Sequence, residues 1–187
     1  MSSTGSIRDD VATVLVTEEQ IRAAVGRLAA ELTDDVGGCD PLLVGVLTGA
    51  FVFLADLVRG LDFPLEVDFI NASSYGDCTE SSGLEIVSEM TCEVGGRHVV
   101  IVDDIADTGQ TLKALVQLLY ERGAASVRSC CLLDKPGRRT CDFEPDYVGV
   151  TIPNQFVVGY GLDFAGRHRN LPCVGVLRRE LYESSKE

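Results

Sequence analysis

Apolar residues recur along the chain in two alternating patterns, short strand-like runs and longer stretches with helical spacing. The strand-like runs are Leu42–Leu47, Leu65–Ile70, Leu84–Val87, Val99–Val102 and Ser126–Leu133. The helical stretches are residues 17–33, residues 51–59 and the face formed by Leu112, Leu115, Val116 and Leu119. Because buried strands that alternate with amphipathic helices form parallel sheets, this order predicts an α/β fold with a mostly parallel sheet flanked by helices on both faces.

The first helix has a clear start signal. Thr17 and Gln20 have the spacing of a capping box, in which each side chain bonds the other residue's backbone N–H. Apolar residues then follow at helical spacing, at Ile21, Val25, Leu28 and Leu32. We expect this helix to end near Thr33, before a turn-rich segment, and we expect the N-terminal residues MSSTGSIRDD to be a frayed tail.

The composition is that of one globular domain spanning residues 1–187, with 45% apolar and 24% charged residues. The net charge of −13 gives a surface that repels phosphate polymers, so we expect no sequence-independent binding of nucleic acid. The apolar, uncharged stretch Pro41–Ala55 has about fifteen residues, fewer than the roughly twenty that span a bilayer. The N-terminus also lacks the apolar segment of a secretory signal, so no membrane association is expected.

Seven cysteines and two histidines are scattered along the chain. No cysteine pair has C-x-x-C spacing, which argues against a zinc site, and a disulfide framework does not suit a chain of this size. Reduced thiols in the cytoplasm are the simplest interpretation, with delivery to a plastid as the open alternative.

The segment after the run Val99–Val102 carries the chemistry. It contains Asp103, Asp104, Asp107, Thr108, Gly109, Gln110 and Thr111, and it leads into a helix. The N–H groups of a helix start bind anions, and a glycine lets the backbone approach a phosphate closely. Two acids beside an anion site fit a ligand that also presents hydroxyls or a magnesium ion, as a phosphorylated sugar does. The alternative is an acidic turn in which Asp107 or Thr108 only caps the helix.

Residues Val99–Leu112 resemble the phosphoribosyl pyrophosphate signature of the type I phosphoribosyltransferases: four apolar residues, two acids, then D-T-G-x-T. The resemblance implies that Asp103 and Asp104 hold the ribose hydroxyls and that Asp107–Thr111 bind the 5-phosphate. It also implies that Asp107 accepts the proton from N7 of a purine. General base catalysis of this kind typically contributes about 10²–10⁴-fold in rate.

Two downstream segments, Leu132–Arg139 and Gln155–Phe164, resemble the hypoxanthine-guanine branch of that family. Lys135 can donate to the 6-oxo group of hypoxanthine or guanine but meets a mismatched donor in the 6-amino group of adenine. By residue type alone, Lys135 would be a solvated loop lysine, Phe156 a core residue and Arg169 a surface charge. The resemblance instead implies purine contacts for Lys135, Phe156, Val157 and Asp163.

Further roles are implied by the same resemblance. Mg²⁺ would be held by Asp163, Asp103 and Asp104, and pyrophosphate would be contacted by Thr48, Gly49 and Arg169. In the family this loop is often held by a cis peptide, here Leu47–Thr48. Some members carry lysine at position 48, whereas Thr48 of this chain offers no charge and leaves only backbone donors for pyrophosphate. Asn71–Gly83, with Ser74 and Tyr75, resembles the family's mobile lid, which would exclude water; the alternative is an ordinary hairpin loop.

The resemblance covers about residues 11–180 and implies one domain, with a core of about residues 35–160 and a small hood from about 1–16 and 161–187. The implied activity is Mg²⁺-dependent transfer of ribose 5-phosphate from phosphoribosyl pyrophosphate to hypoxanthine or guanine, by a homodimer or homotetramer. The alternatives are a xanthine-preferring transferase, a pyrimidine-sensing RNA-binding regulator of the same fold, and a non-catalytic sugar-phosphate module. The regulator would need a basic face, and the sequence offers only the doublets Arg138–Arg139 and Arg178–Arg179.

Overall fold

The computed structural model describes residues 6–74 and 84–183. The strands are β1 (Val11–Val16), β2 (Leu42–Val46), β3 (Glu66–Ser74), β4 (Leu84–Ser88), β5 (His98–Ala106), β6 (Ser126–Asp134), β7 (Tyr147–Thr151), β8 (Val157–Val158) and β9 (Val174–Leu177). The α-helices are α1 (Glu18–Val36), α2 (Phe51–Arg59), α3 (Gln110–Glu121) and α4 (Arg179–Glu183). Two 3₁₀ turns, Ile7–Asp10 and Pro136–Arg138, complete the order of elements in the described residues.

The main sheet has the strand order β4-β3-β2-β5-β6-β7. The five strands from β3 to β7 in this order are parallel to one another, and the edge strand β4 is antiparallel to β3. Helices α1 and α2 pack on one face and α3 on the other, so the central strand β2 is buried along its whole length. The predicted α/β fold, a mostly parallel sheet flanked by helices, is therefore confirmed.

Helix α1 begins as its capping box predicts. Thr17 Oγ1 accepts from the backbone N–H of Gln20, and the Gln20 side chain accepts from the backbone N–H of Thr17. The prediction that the helix ends near Thr33 is wrong, because it continues to Val36. Val36 extends the buried stripe of Leu32 into the core, and this burial outweighs the turn-forming residues that follow Thr33.

The sequence suggested that Asp103 and Asp104 follow strand β5. The strand instead runs through Ala106, so both acids lie inside it. The reason is the neighbouring strand β6. Beyond Val102, the last residue of β5 that pairs with β2, the ladder to β6 continues until Ala106 pairs with Asp134. Strand β3 likewise continues past Ile70 to Ser74, where it pairs with β4, so the first four residues of the predicted polar loop belong to a strand.

A second, small antiparallel sheet has the strand order β1-β9-β8. Its strand β8 falls within the predicted core range, whereas β1 and β9 fall within the predicted hood, and the division into core and hood stays a prediction. The expectation of a frayed N-terminus is wrong for residues 6–10. Ser6 caps the first 3₁₀ turn, and the Asp10 carboxylate lies 2.8 Å from Nε2 of the buried His168.

No helix in the described part of the chain is both long and apolar enough to cross a membrane. The described cysteines are all free thiols, and Cys78 lies outside the described residues.

Candidate active site

A cleft of about 340 Å³ opens at the carboxyl ends of β2 and β5, where parallel sheets bind their ligands. Its lining includes the predicted site residues Gly49, Asp103, Asp104, Asp107, Thr108, Gly109 and Thr111. The strand end, the turn and the helix start identified in the sequence are thus brought to one cavity together with the loop that follows β2.

Residues Asp107–Thr111, which run from the end of β5 into the first turn of α3, are called the phosphate loop below, after their predicted role. Gly109 is the N-cap residue of α3. Its φ of +83° is a left-handed conformation that favours glycine. Gly109 itself has no side chain to cap this helix start, and the alternative in which Asp107 or Thr108 caps it stays a prediction. Thr108 Oγ1 lies 3.4 Å from the Gln110 N–H, and the Gln110 side chain donates to Thr140 Oγ1 at 3.0 Å.

Asp103 and Asp104 form an adjacent pair of carboxylates at the floor of the cleft. Asp103 is buried, and its carboxylate accepts the Asp104 backbone N–H at 2.9 Å. Burial and the neighbouring Asp104 charge hold the pKa of Asp103 well above its ordinary value. Burial also raises the pKa of Asp104, against the opposing charge of Arg169. Hydroxyl donors or a cation would stabilise the ionised form of this pair.

Gly49 touches the acid pair directly. A Cβ built on Gly49 would lie 1.8 Å from Asp104 Oδ2, so any side chain at this position would displace the carboxylate. The Leu47–Thr48 peptide in the same loop is cis. The loop after β2 and the acids of β5 are therefore in contact, as two parts of one binding surface.

Arg169 and Asp163 lie together on the chain that follows β8. Arg169 Nη2 is 2.7 Å from Asp163 Oδ1, and Arg169 Nη1 donates to the Gly161 carbonyl at 2.6 Å. The second oxygen of Asp163 accepts the Gly166 N–H at 2.7 Å. Both oxygens of Asp163 thus have protein partners, and among the residues described here no three acid, histidine or cysteine groups converge as a metal cluster.

Lys135 and Asp107 are neighbours at the end of β6. Lys135 Nζ lies 3.8 Å from Asp107 Oδ2, and Arg138 Nε donates to Asp107 Oδ1 at 2.9 Å. Lys135 is buried, which excludes the interpretation of a solvated loop lysine. Burial lowers the pKa of Lys135, and the Asp107 carboxylate partly offsets this effect.

The remaining predicted residues lie outside the cleft lining, as do Lys135, Asp163 and Arg169. Phe156 is exposed, and its ring packs edge to face on Phe164 with 5.8 Å between ring centroids, so the interpretation of a core residue is wrong. Val157 is buried in β8. Ser74 ends β3, and Tyr75 lies outside the described residues, so the predicted lid is not tested.

Sequence reasoning missed Arg139 and Gly161 and gave Arg138 no role in the site. The doublet Arg138–Arg139 ends the segment that resembles the hypoxanthine-guanine branch, and in the structure Arg138 contacts the Asp107 carboxylate while Arg139 contacts the Asp107 carbonyl. The available signal was their position a few residues after Lys135. Gly161 carried a weaker signal, as a glycine beside the predicted purine-binding segment.

Comparison with known proteins agrees with this arrangement. The family model of the phosphoribosyl transferase domain matches residues 13–165, which include the phosphate loop and the acid pair. The chain belongs to this phosphoribosyltransferase family. The family predicted from residues Val99–Leu112 is thereby confirmed.

Individual relatives match nearly the whole chain. The chain is 48% identical to the hypoxanthine-guanine phosphoribosyltransferase of Streptococcus pneumoniae R6, over 95% of this chain and 99% of that protein. It is 47% identical to the bifunctional protein TilS/HprT of Listeria monocytogenes F2365, where it spans only 28% of the relative's length. The crystal structure of a hypoxanthine phosphoribosyltransferase from Staphylococcus aureus has a TM-score of 0.89 and 41% identity, covering 97% of this chain and 99% of that one. The resemblance to the hypoxanthine-guanine branch is therefore confirmed.

Proposed function

We propose that this phosphoribosyltransferase joins hypoxanthine or guanine to the ribose 5-phosphate of phosphoribosyl pyrophosphate, giving IMP or GMP and pyrophosphate. The observation that carries the proposal is the pairing of Lys135 with Asp107, with 3.8 Å between ammonium and carboxylate. A 6-oxopurine carries its N7 proton and its 6-oxo acceptor on the same edge. A carboxylate beside an ammonium ion therefore complements that edge, whereas the 6-amino group of adenine would face a donor.

The two substrates would occupy adjoining surfaces. The phosphate loop would receive the 5-phosphate, and Asp103 and Asp104 would accept hydrogen bonds from the ribose hydroxyls. The backbone around Gly49 and the Arg169 guanidinium would stabilise the charge of the leaving pyrophosphate. Asp107 would take the N7 proton as the bond to the anomeric carbon forms, with Lys135 bonding the 6-oxo group.

The donor set at the cleft fits magnesium. Asp103 and Asp104 are adjacent carboxylates with raised pKa values, Asp103 buried and Asp104 partly buried, and Mg²⁺ prefers one or two carboxylates supplemented by water and substrate phosphates. When bound, Mg²⁺ would supply positive charge to the pyrophosphate and its ribose. Asp163 also stays a proposed ligand, in competition with its bond to Arg169.

The general-base role is tested with Asp107→Asn, which keeps the side-chain shape but cannot take a proton at neutral pH. We expect kcat with hypoxanthine to fall about 10²–10⁴-fold, with KM for phosphoribosyl pyrophosphate changed only a few-fold. Asp142→Asn is the matched control, because this acid is exposed on the segment after Arg139. Turnover of Asp107→Asn within a few-fold of the parent enzyme would remove the general-base assignment.

The choice of base is tested by steady-state kinetics with hypoxanthine, guanine, xanthine and adenine at fixed phosphoribosyl pyrophosphate and Mg²⁺. Lys135 and Asp107 favour every 6-oxopurine, so xanthine preference is the nearest alternative, and efficient use of adenine would contradict the proposed edge. An RNA-binding assay at low salt addresses the regulator, which the net charge of −13 disfavours. Cytoplasmic location and assembly into a homodimer or homotetramer stay predictions.

A further inference from the structure

Three consecutive carbonyl groups, at the end of β5 and in the phosphate loop, accept hydrogen bonds from one segment, residues 135–140. The bonds run from Lys135 N–H to Ala106 O (3.0 Å), from Arg139 Nη1 to Asp107 O (2.7 Å) and from Thr140 N–H to Thr108 O (3.1 Å). The first and third donors are backbone groups. The middle bond is the one in this set that a side-chain substitution removes without touching the main chain.

The direction of these carbonyls fixes the direction of the amides. In a trans peptide the C=O and the following N–H lie in one plane and point in opposite directions. Holding three carbonyls toward residues 135–140 therefore turns the N–H groups of Asp107, Thr108 and Gly109 away from that segment. Successive N–H groups that share a direction form an anion-binding concavity, and these three residues line the cleft.

Arg139 is built into the structure behind the loop. Its guanidinium bridges the Asp107 carbonyl and the carboxylate of Asp134, the last residue of β6, and both side chains are only 13% exposed. Its Cδ lies 2.7 Å from the position that a Cβ on Gly109 would take, so the aliphatic stem packs against the loop backbone. A planar guanidinium with two fixed partners holds one orientation, which an ammonium ion cannot reproduce.

We propose that Arg139 is a positioning residue, which aims the phosphate-loop amides at the 5-phosphate of phosphoribosyl pyrophosphate. It acts through the Asp107 and Thr108 peptides and binds no substrate itself. The inference rests on the proposed function only in taking Asp107–Thr111 as the 5-phosphate site. Loss of Arg139 therefore weakens the binding of ligands that carry the 5-phosphate, while binding of the free purine base changes little.

The test compares Arg139→Met and Arg139→Lys with the control Arg128→Met. Arg128 lies on the same strand β6, in an ion pair with Asp146, and its side chain is 55% exposed. Because Arg139→Met removes a hydrogen bond from a charged donor, we expect it to raise KM for phosphoribosyl pyrophosphate, and Kd for IMP, by about 10- to 100-fold. We expect KM for hypoxanthine within about three-fold of the parent value, an intermediate effect for Arg139→Lys, and little change for Arg128→Met.

Asp134→Asn tests the same positioning role through the carboxylate partner of Arg139. It weakens the partner that orients the guanidinium, so we expect a smaller rise in the same two constants. The double variant with Arg139→Met should be no worse than Arg139→Met alone, because the two side chains act as one unit. If Arg139→Met does not fold, Arg139→Lys and Asp134→Asn decide the matter, and unchanged constants in both overturn the inference.

Gly109→Ala separates failure of this inference from failure of the site. The substitution places a Cβ in the loop itself, at a φ of +83°. If Gly109→Ala weakens IMP binding and Arg139→Met does not, the phosphate site stands and Arg139 does not position it. If neither variant weakens IMP binding, the assignment of Asp107–Thr111 is itself wrong. A uniform fall in kcat for Arg139→Met, with both KM values unchanged, also contradicts the positioning role.

Discussion

Gly161 packs against the carbonyl oxygen of Gly49 so closely that a Cβ on Gly161 would lie 2.1 Å from that oxygen. Its φ of +102° is one that L side chains rarely adopt. The Gly161 carbonyl in turn accepts from Arg169 Nη1 at 2.6 Å. One glycine thus joins the loop after β2 to the arginine proposed to contact pyrophosphate.

Gly161→Ala is expected to raise KM for phosphoribosyl pyrophosphate and to lower the free energy of unfolding by about 1–3 kcal/mol. The added methyl group must push the Gly49 loop or Arg169 out of place. Gly166→Ala is the matched control, because Gly166 also has a positive φ, of +78°, but a Cβ there has no neighbour within 4 Å. Equal KM values in the two variants would show that backbone strain, and not the Gly49 contact, explains the effect.

The lowered pKa of Lys135 predicts that purine binding weakens at alkaline pH. Burial lowers its pKa, so as pH rises the ammonium loses its proton earlier than an exposed lysine, whose pKa is about 10.4. KM for hypoxanthine should then rise about ten-fold or more as the charged hydrogen bond is lost. The comparison is Lys135→Arg, which stays charged. Ionisation of the purine affects both enzymes equally, so the same alkaline rise in Lys135→Arg would exclude Lys135 as its cause.

Asp103→Asn is expected to lower the activity and to raise the free energy of unfolding. Burial and the Asp104 charge raise the pKa of Asp103, so this carboxyl destabilises the folded state at every pH above its ordinary value of 3.8, where the unfolded chain ionises more readily than the folded one. The variant should gain about 0.5–2 kcal/mol in free energy of unfolding at pH 7 and lose kcat/KM for phosphoribosyl pyrophosphate. The gain should shrink as pH falls and the parent enzyme takes up the proton. Urea unfolding at several pH values measures this, and a destabilised variant at pH 7 would contradict it.

Asp68→Asn should lower the free energy of unfolding, in contrast to Asp103→Asn. Burial alone would raise the pKa of Asp68, but backbone N–H groups of Cys92, Phe69 and Thr91, each donating at 2.7 Å, hold it below its ordinary value. We expect the variant to lose about 1–3 kcal/mol in free energy of unfolding at neutral pH.

The loss caused by Asp68→Asn should persist above pH 3.8 and disappear as pH falls through the lowered pKa. Because Asp68 lies on β3 outside the cleft lining, kcat/KM should stay within a few-fold. A variant as stable as the parent enzyme in urea at pH 7 would show that these backbone bonds contribute nothing net.

The sequence by itself determined the elements whose signals are local. The capping box of Thr17 and Gln20 specified where α1 begins, and residues Val99–Leu112 specified a strand, a glycine-containing turn and a helix in one continuous segment. Such signals are readable because the interacting residues are close in sequence. The small sheet was not predicted, since strands as short as β8 (Val157–Val158) carry too few residues for a pattern, and their stability depends on neighbours.

Only the tertiary structure decided which distant groups share the site. The register of β5 on β6 extends β5 to Ala106 and sets the segment after β6 behind the phosphate loop, so that Arg139 reaches the Asp107 carbonyl across 32 positions of sequence. The contact of Gly161 with Gly49 likewise joins two loops that no spacing rule connects. Local hydrogen-bonding and hydrophobic patterns carry no information on such pairings, because strand register and the packing of loops fix them only when the whole chain is folded.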